Sequence, residues 1–171
     1  MLALSEYDHM ESLDAFQKGW IQVQDISSAL VGELAAPEKG SYIIDVCAAP
    51  GGKSLHLADK MEGTGCVEAR DLTYQKVALI EENASRMGAL NIKAVQWDAT
   101  EFDPESENKA DLVIADLPCS GLGIIGRKPD IKYHTTKENL RELSKLQKEI
   151  FCCVEVCKTR RPPDLQHMHY Q

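Results

Sequence analysis

The chain has 171 residues, 43% hydrophobic and 27% charged, which supports one sizeable core and does not fit a disordered protein. No apolar run approaches bilayer-spanning length and the start MLALSEYDHM lacks the basic and apolar regions of a signal peptide, so a soluble α/β domain in the cytoplasm is expected. The net charge of −8 argues against a protein that coats nucleic acid nonspecifically, yet from Gly126 onward ten Lys/Arg face six Asp/Glu, a net of +4 that leaves −12 on the first 125 residues.

Tyr42 to Val46 is an apolar run ending in a Gly/Pro loop, and Ser54 to Met61 then has helical spacing, which opens a βα unit. Gly65 to Asp71 reads as a second strand. Thr73 to Met87 reads as a helix with Val77, Ile80 and Ala84 on one face, closed by Gly88. Asn91 to Gln96 and Ala110 to Ala115 are two further strand candidates flanking the acidic loop Glu101 to Glu107. A turn-rich stretch follows Asp116, then a helix from Thr136 towards Ile150, opened by Thr136 with Glu138 and Asn139 near its first turn. Alternating strands and helices predict a doubly wound parallel sheet.

Ligands of such sheets bind beyond the carboxyl ends of the strands, and here those ends carry Asp45 with its glycine loop, Asp71, Asp98 and Asp116. An isolated Asp there is more often a cap, and the Asp98 segment WDAT reads equally well as a turn. Four at successive strand ends favour a site. An acid ending the second strand, as Asp71 does, suits both hydroxyls of a ribose. The absence of GxGxxG makes a nicotinamide-nucleotide oxidoreductase the weaker reading. The six cysteines lack CxxC pairing and a secreted framework, so neither metal nor disulfide is expected. Cys47 and Cys66 are cheaply explained as small buried residues, whereas Pro118 and Gly121 place Cys119 in a turn beside Asp116.

DVCAAPGGKS at Asp45 to Ser54, DLPCSG at Asp116 to Gly121 and RKPDIK at Arg127 to Lys132 resemble the Sun (Fmu) family of bacterial ribosomal RNA cytosine-5 methyltransferases. QDISS at Gln24 to Ser28 fits the segment before that family's first strand, and the resemblance covers roughly Gly19 to Ile150. It implies a Rossmann-like S-adenosylmethionine-dependent methyltransferase core with strand order 3-2-1-4, a ribosomal RNA substrate, and an RNA-binding domain upstream. It implies that Cys47, Ala48, Ala49, Pro50, Gly51, Gly52 and Lys53 wrap the cofactor, that Asp71 meets its ribose, and that Asp98 lies near its adenine. Asp116 closes the site near the target base, with Lys53 helping to position substrate.

Carbon 5 of cytosine is a weak nucleophile, so the reaction needs a thiolate added at carbon 6 and a base to remove the carbon 5 proton. The base must leave its stack, which favours looped or single-stranded RNA. The resemblance makes Cys119 the thiol that helps release product and assigns the attacking thiol to a Thr-Cys motif after a KPGG turn. No such segment is present. Lys158-Thr159-Arg160-Arg161-Pro162 is nevertheless compatible with codons that, shifted by one base, read Lys-Pro-Gly-Gly. Asp164 to Gln171, shifted likewise, is compatible with Ile-Tyr-Ser-Thr-Cys-Thr-Ile, its cysteine forced by the Met168-His169 junction. The expected organisation is a lead-in segment at 1–25, a methyltransferase core at 26–150, and a tail at 151–171 out of frame or truncated after about Ile150. The sheet would then lack its last strands and the fourth would have an exposed or improvised edge. Without the tail's cations, Gly126 to Cys157 carries seven basic and five acidic residues, a modest patch. A noncatalytic S-adenosylmethionine-binding fragment is the alternative to an active enzyme.

Overall fold

Residues Ile43 and Ile44 are both fully buried although neighbours in a strand point to opposite faces, so the sheet that contains them is covered on both sides. The computed structural model describes residues 9–126, 129–157 and 169–170. Strands β1 (Tyr42–Asp45), β2 (Cys66–Asp71), β3 (Ile92–Gln96), β4 (Leu112–Ala115) and β5 (His169–Tyr170) form one parallel sheet in the order β3-β2-β1-β4-β5. Its helices include α1 (Asp14–Gln17), α2 (Ile26–Ala35), α3 (Gly52–Lys60), α4 (Tyr74–Met87), α5 (Ile131–His134) and α6 (Lys137–Cys157).

On one face Ile43, Val67, Leu112 and Ile114 pack with Val31 and Ala35 of α2 and with Leu57 and Ala58 of α3. On the other, Ile44, Val113 and Ala115 meet Ile150 and Val154 of α6. Period-two alternation in short strands thus divides the apolar residues between two helix layers.

The order 3-2-1-4 stands as expected. Helix α2 was not anticipated from the sequence, and two further features differ from the sequence reading. Helix α6 continues beyond Ile150 to Cys157, because Ile150 and Val154, one turn apart, are both buried against the sheet. The tail, which showed no strand periodicity, places His169 and Tyr170 beside Ile114 and Ala115, so two residues pair the edge of β4. Arg127 and Lys128 of the RKPDIK motif, and residues 158–168 of the shifted frame, lie outside the described residues.

Helix α4 shows how local chemistry sets these boundaries. The Thr73 hydroxyl accepts the Lys76 N–H at 3.4 Å, and Gly88 ends the helix at φ +67 with open space where a Cβ would stand. Gly88→Ala should therefore cost about 1 kcal/mol from the left-handed conformation alone. Urea unfolding at neutral pH measures it, and an unchanged midpoint would contradict the cap assignment.

Candidate functional site

Strand β1 lies between β2 and β4, so the connections leaving β1 and β4 diverge at their carboxyl ends and open a crevice there. A cleft of about 180 Å³ occupies this point, lined on one side by Cys47 to Pro50, Gly52 and Lys53 and on the other by Gln22 to Asp25 and Ser28, with Asp45 and Asp116 between. The loop forms because β1 ends at Asp45 and α3 begins only at Gly52, after a cis Ala49–Pro50 bond.

Lys53 Nζ lies 2.5 Å from Asp116 Oδ2 and donates to Ser28 Oγ at 3.2 Å, tying the loop after β1, the end of β4 and α2 together. Asp45 is almost wholly buried. Its Oδ2 accepts from the Ser54 hydroxyl at 2.7 Å, whereas Oδ1 is buried without a hydrogen-bond partner. Burial pushes the Asp45 carboxyl up to about 6, against the Ser54 hydrogen bond and the Lys53 charge and with help from the Asp116 charge. Burial and the Asp71 and Asp45 charges push the Cys47 thiol up to about 12. Burial therefore favours the protonated form of Cys47 at neutral pH.

The cleft thus gathers Cys47, Ala48, Ala49, Pro50, Gly52, Lys53 and Asp116. Four other candidates stand outside its lining. Gly51 packs towards Ile80 as the residue before α3. Asp71 is buried and braces the loop, accepting the Ala49 N–H at 3.0 Å and the Leu72 N–H at 2.8 Å while pairing with Lys76 at 3.0 Å. Asp98 forms its own turn, taking the Thr100 N–H at 2.9 Å and hydroxyl at 2.6 Å, bonds that hold its carboxyl below the usual range. Cys119 is exposed on the loop after β4, whose Pro118 carbonyl accepts from Gln147 at 2.9 Å.

Sequence reasoning named no role for Gln22, Val23, Asp25 or Ser28. QDISS marked the segment, but nothing in its spacing says that a stretch before β1 folds back over the loop that follows it. Among the described residues no cluster of metal-ligating side chains occurs, and no helix is long and apolar enough to cross a membrane.

The family model for 16S rRNA methyltransferase RsmB/F matches residues 33–160, which reaches past Ile150. The chain belongs to this family. It is 42% identical over 136 residues to the probable ribosomal RNA small subunit methyltransferase B of Bacillus subtilis (strain 168), covering 79% of this chain and 30% of that protein. It is 37% identical over 145 residues to the ribosomal RNA small subunit methyltransferase B of Vibrio vulnificus (strain YJ016), covering 83% and 33%. The chain therefore spans about a third of the length of these relatives. NSun6 from Pyrococcus horikoshii, solved with the S-adenosylmethionine analogue SFG, superposes with a TM-score of 0.81 at 30% identity, over 90% of this chain and 39% of that one. A methyltransferase homologue from the same organism gives 0.72 at 27% identity, over 88% and 47%. The fold is the Rossmann-like methyltransferase core, and the family's methyl donor is S-adenosylmethionine.

The residues present fit such a donor. S-adenosylmethionine carries a sulfonium and an α-ammonium, and the cleft offers the carboxylates of Asp25, Asp45 and Asp116 against one lysine. Asp45, whose Oδ1 is buried at the cleft without a side-chain partner, adds an acceptor to this lining.

Proposed function

We propose that this cleft binds S-adenosylmethionine for methylation of carbon 5 of a cytosine in small-subunit ribosomal RNA, in the cytoplasm. The observation that carries the reading is the meeting of the Cys47–Lys53 loop with Asp116 through the Lys53 ion pair, at the switch point of the sheet. When bound, the cofactor supplies an electrophilic methyl group. Asp45 offers Oδ1 to it, and Asp71 holds the Ala49 N–H and with it the loop's shape. Asp98, whose carboxylate holds the Thr100 turn beyond the cleft lining, would lie near the adenine. Lys53 and Asp116 present a cation and an acceptor to the polar edge of an extruded base.

The thiol chemistry separates two readings. Methyl transfer needs a thiolate at carbon 6, whose addition makes carbon 5 nucleophilic; loss of the carbon 5 proton to a base then expels the thiolate. Cys47 is held protonated, and in this reading Cys119 takes the helper's role that the resemblance implies. That favours, as a second reading, a noncatalytic S-adenosylmethionine-binding fragment whose attacking thiol belongs to the Thr-Cys segment of the shifted frame. The division into a lead-in at 1–25, a core at 26–150 and an out-of-frame tail at 151–171 belongs to the same proposal. Coding DNA with no continuous frame for the KPGG and STC segments would end it.

Calorimetry with S-adenosylhomocysteine, alongside methyl transfer from labelled S-adenosylmethionine to small-subunit ribosomal RNA, tests the function. Saturable binding without transfer supports the fragment. Transfer lost in Cys119→Ala supports an active enzyme. Absence of binding refutes both.

A further inference from the structure

One face of α4 touches both walls of the cleft. The Asn83 side-chain amide donates to the Pro50 carbonyl of the cofactor loop at 3.0 Å and to Leu79 O at 3.1 Å, and its Oδ1 accepts from Arg86 Nη2 at 3.1 Å. Three residues on, and so on the same face, the Arg86 guanidinium lies 3.9 Å from the centre of the Phe16 ring. It donates to Phe16 O at 2.8 Å, to Ile21 O at 3.2 Å and to the side-chain oxygen of Gln22. The incoming segment runs so close to α4 that a Cβ on Gly19, at φ +71, would fall 1.9 Å from the Arg86 carbonyl oxygen. Pro50 and Gln22 both line the cleft. A continuous path of hydrogen bonds therefore runs from one wall through Asn83 and Arg86 to the other.

We propose that Asn83 and Arg86 are positioning residues that clamp Gln22–Ser28 and Cys47–Gly52 at a fixed separation, and thereby set the affinity of the cleft for S-adenosyl ligands. The inference rests on the cofactor reading above. Half-buried arginine suits the task, because its planar fork satisfies several fixed carbonyls from one rigid group, which a lysine ammonium does not reproduce. A ligand entering a preset cleft does not have to order the lead-in segment itself, and that saving appears as affinity.

The test pairs calorimetry with hydrogen exchange on the full chain. S-adenosylhomocysteine should bind Arg86→Ala at least tenfold more weakly than the unaltered protein and Gln22→Ala about three- to tenfold more weakly, with the Gln22→Ala unfolding midpoint unchanged. The double variant should bind no more weakly than Arg86→Ala, since both changes cut the same path. Arg86→Lys, which keeps the charge and loses the fork, should fall between, and it serves in place of Arg86→Ala if that variant does not fold. Amides of residues 19–28 should exchange faster in the Arg86 variants without any ligand. Unchanged exchange overturns the clamp, even where the unaltered protein fails to bind and the cofactor reading falls alone. Wild-type affinity in a folded Arg86 variant, or full additivity of Gln22→Ala with it, also overturns the proposal.

Discussion

Replacing Arg70 with methionine should lower the stability of the domain by about 3–5 kcal/mol, the usual cost of stranding a buried partner charge. Arg70 projects from β2 with only 6% of its side chain exposed. Its guanidinium donates to Glu68 Oε1 at 2.7 Å, Asp103 Oδ2 at 2.8 Å and Ser106 Oγ at 2.6 Å, and lies 5.5 Å from the Trp97 ring centre. Glu68 is also held by Lys93 at 3.0 Å and the Tyr42 hydroxyl at 3.2 Å. Without Arg70, two buried carboxylates keep only an exposed lysine, two hydroxyls and the Glu105 N–H, and the 97–107 loop loses its side-chain tie to β2.

Acid should weaken the same network. Burial alone would raise the Glu68 and Asp103 carboxyls, but hydrogen bonds from Lys93 and Arg70, and from Ser106 and Arg70, outweigh it and hold both below the ordinary range. Carboxyls that are more acidic folded than unfolded contribute stability above their unfolded values, and that contribution disappears as pH falls through the folded ones. Urea titrations of wild type and Arg70→Met from pH 7 to pH 3 should converge at the acid end. A loss below about 1 kcal/mol at pH 7 would show that the network contributes little beyond an exposed pair.

Asp45→Asn should stabilise the protein at pH 7 by on the order of 2–3 kcal/mol while weakening cofactor binding. The Asp45 carboxyl, raised from an ordinary value of 3.8 to about 6, binds its proton more tightly in the folded state than in the unfolded one. Stability therefore falls as pH rises through that interval, and the full penalty is present above it. Asparagine keeps an acceptor for the Ser54 hydroxyl and has no charge to bury. The difference between variant and wild type should be small near pH 4, grow to pH 6 and then level off. Calorimetry should show the loss of affinity for S-adenosylhomocysteine. A variant that follows the wild-type pH profile would remove Asp45 as a stored electrostatic cost at the site.

The two experiments probe features with very different visibility in the sequence. DVCAAPGGKS exposed Asp45 because a strand followed by a Gly/Pro loop is a short-range pattern. Glu68 and Arg70 sit in GCVEARD, where charged residues in a strand ordinarily face solvent. Nothing local announces that Asp103, thirty-three residues from Arg70, returns to bury them. Asp98 lay between, since WDAT fitted a turn as well as a ligand position, and in the fold its oxygen serves the Thr100 turn.

Apolar periodicity and turn residues were enough to determine the four main strands, the helices α3, α4 and α6 and the parallel class, because backbone geometry repeats every two or 3.6 residues. The motifs determined the family for the same reason: their residues are neighbours in the chain. Tertiary structure alone decided that Gln22 to Ser28 forms the second wall of the cleft, that α4 holds both walls, and that His169–Tyr170 pairs with β4. Those outcomes depend on contacts between segments far apart in sequence, for which no local pattern encodes the distance. DVCAAPGGKS thus marked one wall of the proposed cofactor cleft, and the folded chain supplied the other.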